Sequence, residues 1–153
     1  MPASIFYKTT YRLLYRVHRR YCALFRPFVQ GAYVVCIYED EVLLIKNSYK
    51  YYWTIPCGGI DKNEHPKEAA LREVEEEVGI VLEHDKLESV GKIVTQADYK
   101  NDHIHLFAYR FSYKPHVFID YKEVERYQWV KRSQLSNINI FRPIVPIIEV
   151  LLR

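Results

Sequence analysis

Three glutamates, Glu73, Glu76 and Glu77, recur at i, i+3 and i, i+4, the spacing that stacks side chains as neighbours on one face of a helix. Like charges placed this way cost roughly 0.2–0.5 kcal/mol per pair unless something answers them. A hard divalent cation bound through oxygen turns that repulsion into coordination. On the same helical wheel Ala70, Leu71, Val74 and Val78 form a separate apolar stripe for a core. Ala69, at the centre of the acidic face, is small enough to leave the space above it open. A Glu-rich helix by itself is often only a solvated surface, so the flanking residues decide. Gly58 and Gly59 precede the helix by a short loop, His65 stands at a cap position before Pro66, and Glu68 sits where a capping acid would reach back. Arg72 adjoins Glu73 and follows Glu64 by eight residues, so its guanidinium can tie loop to helix with a bidentate contact.

The elements that must position these groups follow from periodicity. The spacing predicts the acidic helix over about Pro66–Val78, with Gly79 able to take the left-handed conformation just past its end. Apolar runs at Gly31–Tyr38 and Val42–Ile45 flank the acidic turn Glu39-Asp40-Glu41 and read as a hairpin. Two further strands are expected near Leu87–Thr95 and His103–Tyr113, joined by a turn over Asp98–Asp102. A last strand is expected over Glu125–Val130 and a closing helix over Pro143–Leu152. Between Ser4 and Phe25 apolar residues recur at near-helical spacing among Arg12, Arg16, Arg19 and Arg20, which predicts an amphipathic helix ended by Arg26-Pro27. No repeat or low-complexity linker divides the chain, so the expected class is a single mixed α/β unit.

Composition narrows the functional classes. A chain of 153 residues, 49% hydrophobic, suits one compact domain. Cys22, Cys36 and Cys57 are odd in number and lack CxxC spacing, which argues against a disulfide framework and a zinc site and favours a reducing cytoplasm. No apolar run approaches the roughly 20 residues of a membrane span, so a soluble protein is expected. Net charge is only +3, but it is sorted along the chain. Six Lys or Arg precede the first acid, Glu39, and ten of the 19 acids lie between Asp61 and Glu88, where a cation would sit.

Gly58, five residues, Glu64, seven residues, Arg72-Glu73-Val74, one residue, Glu76-Glu77, one residue, then Gly79-Ile80 resembles the signature box of the Nudix hydrolases without a gap. The resemblance extends from about Gly31 to Leu152 and leaves out the N-terminal helix, which suggests a basic helix over 1–26 and a hydrolase domain over 27–153. It implies a Nudix-type α/β/α sandwich with a mixed sheet. It also implies hydrolysis of a phosphoanhydride bond with Mg²⁺, or Mn²⁺ in its place, held by Glu73, Glu76, Glu77 and a backbone carbonyl at Gly58 or Cys57. In that pattern Arg72 and Glu64 orient Glu73, and a further acid comes from a loop before the last strand. Glu123 is the choice here, with Glu125, Asp98 and Asp102 as rivals. Cys57 stands where many members have glycine and His65 where Ser or Thr usually caps the helix, and neither change removes a ligand. Cys57 reads as a structural substitute and not a nucleophile.

The substrate implied is a nucleoside diphosphate linked to another moiety, whose identity stays open. Lys46, Lys50 and Lys100 are candidates to meet phosphates, and Tyr49, Trp53, Tyr99 and Phe107 to stack on a base. His103 and His105 lie on one strand face, as a metal pair or a hydrogen-bonding pair. Two other readings compete. One is a Nudix-like isoprenoid diphosphate isomerase, and the other an inactive Nudix-fold module that binds nucleotide or RNA. The N-terminal helix, with Lys8 and its arginines beside an aromatic stripe, is expected to pack on the domain or on a second copy in a homodimer. The alternative for it is an anionic membrane surface or RNA.

Overall fold

A computed structural model describes residues 2–119 and 121–153, with side chains from Thr9 onward, so that Tyr7 and Lys8 lie outside the described side chains. Helix α1 (Pro2–Phe25) leads into strand β1 (Phe28–Tyr38), which turns through Glu39-Asp40 into β2 (Glu41–Asn47). A short β3 (Cys57–Gly59) precedes α2 (Pro66–Val78). Then come β4 (Glu88–Thr95), β5 (Asn101–Arg110), β6 (Val124–Lys131) and α3 (Val145–Leu151). The strand order is β4-β5-β1-β2-β6, with β3 also on β1. β1 and β5 run parallel and the other pairs antiparallel, so the sheet is mixed as expected.

The continuous apolar runs of β1 and β2 have a simple cause. Alternate residues point to opposite faces, and both faces are covered. Ala32, Val34, Cys36, Leu43 and Ile45 pack with Ala70, Val74 and Val78 of α2. Val35, Ile37, Val42 and Leu44 pack with Ile148 of α3 and with Ile144 just before it. This is the expected α/β/α sandwich. Each fully buried Val or Ile in these layers contributes about 1.5–3 kcal/mol relative to exposure, so a charge at Val74 would release α2 from the sheet.

β1 is the pivot for the site. Its C-terminal end pairs with β2 at Ile37↔Val42, while Gly31–Tyr33 pair with β3. The two partners diverge and the loop between them, residues 48–56, is free to line a cleft. A left-handed turn at Asp98 and Tyr99 (φ 53° and 63°) joins β4 to β5. β5 stops at Arg110, short of the expected Tyr113. All three cysteines are buried and free. Among the described residues no helix is long and apolar enough to cross a membrane.

Candidate active site

Helix α2 has both predicted ends. The His65 imidazole accepts from Lys67 N at 3.3 Å, Pro66 follows at the first turn, and Gly79 (φ 68°) donates its N–H to Glu75 O. Glu68 does not reach back to the cap; its carboxylate lies 3.2 Å from His84 Nε2.

Arg72 gathers the loop onto the helix. Nε and Nη2 bond Glu64 Oε1 and Oε2 at 2.9 and 3.0 Å, the expected bidentate pair. Nη1 reaches Glu73 Oε1 at 2.7 Å and Glu76 Oε2 at 3.4 Å, and Nη2 also bonds Gly59 O at 3.0 Å. A lysine has neither the planar fork nor the number of donors for this set. The hydrogen bonds from Arg72, with that from the Asp61 N–H, hold the Glu64 carboxyl down to about 2.

The acidic face of α2 is divided by what covers it. Glu73 is partly buried, its carboxylate lying where a Cβ on Gly58 would fall, 2.0 Å from Glu73 Cδ. Burial raises its pKa and Arg72 opposes that rise. Glu76 is exposed. Glu77 is buried under the loop, where Oε2 accepts the Cys57 N–H at 2.8 Å and Oε1 accepts from Asn47 Nδ2 at 3.4 Å. Ala69, expected to leave open space, is also fully buried in the core. In the antiparallel ladder Gly58 directs its N–H and C=O at Ala32 of β1. Cys57 and Gly59 turn theirs toward α2, so the carbonyl on the carboxylate side is that of Cys57. The Cys57 thiol is pushed up to about 12 by burial, which keeps it neutral and unsuited to attack.

A cleft of about 610 Å³ opens over this helix. Glu73, Glu76, Gly58 and Glu123 line it together with Lys50, Lys100, Asp98 and Asp102. Tyr11, Tyr15, Tyr33, Tyr49, Tyr52 and Phe141 form its walls. Tyr49 donates its hydroxyl proton to Glu123 Oε1, and Glu123 O accepts the Ser48 N–H at 2.9 Å, which pins this acid beside the box. Burial, then Glu123, raises the Tyr49 phenol, so it stays a donor. Burial works against the charge of Lys50, and the neighbouring acids Glu77, Glu123 and Asp98 favour it, so that the ammonium pKa is raised.

Four expected substrate contacts are elsewhere. Lys46 Nζ bonds the carbonyls of Lys50 (2.6 Å) and Tyr52 (3.4 Å), so it braces the 48–52 loop and does not face the cleft. Trp53 bridges to Ile140 and lies under the Arg126 guanidinium, packed on the α3 side of the sheet. Tyr99 is exposed, its ring below Arg19, and it belongs to a separate small cleft. Phe107 is core. His103 packs edge-on against Phe28, and neither it nor His105 lines the cleft. Lys50, Lys100 and Tyr49 do line the cleft. Tyr11, Tyr15 and His18 of α1 went unread because their only signal in sequence was an amphipathic period, which does not say what the helix covers.

Among the described residues no three His, Cys, Asp or Glu side chains come close enough together to hold a metal ion as they stand. Arg72 holds Glu73 and Glu76 from one side, and Glu77 is turned to the Cys57 N–H. The donor set still fits a hard divalent ion, being oxygen only, with a carboxylate seated in the space that a Cβ at Gly58 would fill.

The sequence profile of the NUDIX domain matches residues 27–148. The chain belongs to the Nudix family. Among curated relatives, an RNA pyrophosphohydrolase of Psychromonas ingrahamii is 40% identical over 63 residues, 41% of this chain and 34% of that one. Diphosphoinositol polyphosphate phosphohydrolase 3-alpha of Mus musculus is 51% identical over 43 residues, 28% of this chain and 26% of that one. The chain thus spans about a third or less of the length of these relatives. A C. elegans Ap4A hydrolase shares the fold, with a TM-score of 0.69, 21% identity and coverage of 80% of this chain and 94% of that one.

Burial pushes the Glu77 carboxyl up to about 8, against the pull of the Cys57 N–H. A raised carboxyl favours the folded state at low pH. In the metal-free Nudix domain that contribution is full below the ordinary carboxylate range and is lost as pH rises through about 8. A cation that needs the carboxylate must displace the proton. Mn²⁺ affinity should therefore rise about tenfold per pH unit between pH 6 and 8, with release of one proton. Calorimetry in buffers of different ionisation heat measures both; a pH-independent affinity would take Glu77 out of the ligand set.

Proposed function

We propose that this chain hydrolyses a phosphoanhydride bond in a nucleoside diphosphate linked to a second moiety, with Mg²⁺ or Mn²⁺ held by Glu73, Glu76, Glu77 and the Cys57 carbonyl. The reading rests on one observation: the carboxylates of Glu73, Glu76 and Glu123 share a single cleft with Lys50, Lys100 and a wall of tyrosines. Its volume lies within the range of small-molecule sites. One curated relative is named for pyrophosphate hydrolysis on RNA and the other for hydrolysis of a diphosphoinositol polyphosphate, and both names agree with this bond type.

A divalent cation bound there supplies positive charge to the phosphate oxygens and a more acidic water. The protein does the rest. Arg72, locked to Glu64, fixes the Glu73 carboxylate over Gly58. Lys50 and Lys100 face the cleft as cations for the remaining phosphate charge, and the tyrosine walls offer faces for a base. Glu123, held by Tyr49, accepts the proton of the attacking water. Among its rivals, Asp98 is engaged by Tyr52 Oη at 2.8 Å and by Arg19 at 4.0 Å. In this reading residues 27–153 carry the chemistry, and the work is done in the cytoplasm, a reading that three free, buried cysteines support.

The direct test is a panel of nucleoside diphosphate derivatives with Mg²⁺, following phosphate or mononucleotide release. Turnover of at least one that stops on chelation is expected; binding without turnover across the panel would mark a binding module instead. Glu123→Gln should lower kcat by roughly 10²-fold with metal affinity unchanged. If Glu123→Gln turns over normally and Asp102→Asn does not, the proton acceptor is Asp102.

A further inference from the structure

Helix α1 has two faces with different fates. One docks on the domain. Tyr11 and Tyr15 pack on Tyr49, Arg12 Nε donates to Ser48 O at 2.9 Å, and Cys22 is fully buried. The other carries Leu13, Val17, Tyr21, Leu24 and Phe25, each more than half exposed, with Leu24 at 76%. On the wheel these form one stripe running from Leu13 to Leu24, about 16 Å along the axis at 1.5 Å per residue. Arg16 and Arg20 border one edge of it and make no ion pair or hydrogen bond among the described residues. The helix contains no acid over its 24 residues. Arg16, Arg19 and Arg20, with Ala23 and Tyr99, line a second cleft of about 300 Å³.

We infer that the outer face of α1 docks on an anionic phospholipid surface, its apolar stripe entering the interface and the Arg16–Arg19–Arg20 cleft seating a lipid phosphate. An apolar stripe bordered by arginines, on a helix too polar to span, is the arrangement that lies in the plane of a bilayer. Guanidinium forks match phosphate oxygens bidentately, and each basic residue near an anionic leaflet adds to the attraction. Two other occupants fit less well. RNA would meet the arginines but leave Leu13, Val17 and Leu24 in water. A second copy packed along the stripe would bring Arg16 and Arg20 toward their own counterparts, with no acid on either helix to answer them. The inference stands apart from the chemistry proposed for the large cleft. Tyr11, Leu14, Tyr15 and His18 of α1 also line that cleft, so docking would hold its mouth near the bilayer whatever reaction it hosts.

Sedimentation of the full chain with vesicles tests this. At low salt the protein should pellet with phosphatidylcholine–phosphatidylglycerol vesicles and not with pure phosphatidylcholine, and should be released as salt rises. Arg16→Glu with Arg20→Glu should weaken binding by about 30-fold or more. Val17→Asp with Leu24→Asp should abolish it. All four side chains are exposed, so circular dichroism should stay unchanged and a loss of binding reports the surface. The idea is overturned if the intact chain ignores phosphatidylglycerol at low salt, or if binding survives Val17→Asp with Leu24→Asp. It is equally overturned if an RNA oligonucleotide is bound and vesicles are not, or if Val17→Asp instead breaks a dimer in solution.

Discussion

Glu76→Gln should lower kcat by roughly three orders of magnitude while leaving the melting temperature unchanged. The two halves of this expectation have separate causes. Glu76 is an exposed side chain whose contact is a 3.4 Å approach of Arg72 Nη1, an exposed pair that contributes little to stability. Glutamine keeps its shape and that contact. It removes the charge that lines the cleft beside Glu73 and Glu123, and a neutral amide is a far weaker ligand for a hard cation. Glu75 provides the control. It is exposed on the far side of the wheel and lines no cleft among the described residues, so Glu75→Gln should be nearly silent in both kcat and stability. Steady-state kinetics with saturating Mg²⁺ and thermal unfolding of both variants are the measurements. Near-normal turnover by Glu76→Gln would reduce the carboxylate face to a solvated surface.

Gly58→Ala should cost about 10²-fold or more in kcat with only a small loss of stability, an unusual split for a change in a strand. The added Cβ would fall 2.0 Å from Glu73 Cδ and 2.2 Å from both its oxygens. A backbone neighbour at that distance would force the sheet apart, but a carboxylate ends a flexible side chain and can swing away. Eviction is therefore cheap for the fold and costly for the site, because Glu73 loses the place in which Arg72 holds it. Gly59→Ala serves as the comparison, since a Cβ there meets nothing within 4 Å. It should bind Mn²⁺ as the parent does, whereas Gly58→Ala should bind it more weakly. Equal Mn²⁺ affinity in the two variants would mean that the carboxylate over Gly58 is not a ligand.

Local spacing was enough to read the machinery that is local. The limits of α2 were legible because His65, Pro66 and Gly79 act within a residue or two of themselves, through a capping side chain, a fixed φ and a left-handed turn, and the Arg72–Glu64 pair because eight residues place the guanidinium over the loop. The β1–β2 hairpin was legible from the apolar runs either side of Glu39-Asp40-Glu41, whereas the two-sided sandwich came from the family resemblance. Helical periodicity places Glu73, Glu76 and Glu77 on one face but does not say what lies above that face. The crossing of β3 does, and it buries Glu77 and Ala69 while leaving Glu76 in the cleft.

The same reason separates the aromatic and basic candidates. Lys46 and Lys50 are four residues apart and look alike in sequence. One braces the backbone of its own loop and the other faces the acids of the cleft, because the divergence of β2 from β3 about β1 sets how that loop folds. For α1 the amphipathic period announced a helix with something to cover. Its docked and exposed faces were assigned only by contacts with Tyr49, Ser48 and Asp98, residues 34 or more positions away in the chain. Spacing determined which side chains share a face, since that follows from backbone geometry within a few residues; which face meets the site depended on long-range packing that no local period encodes.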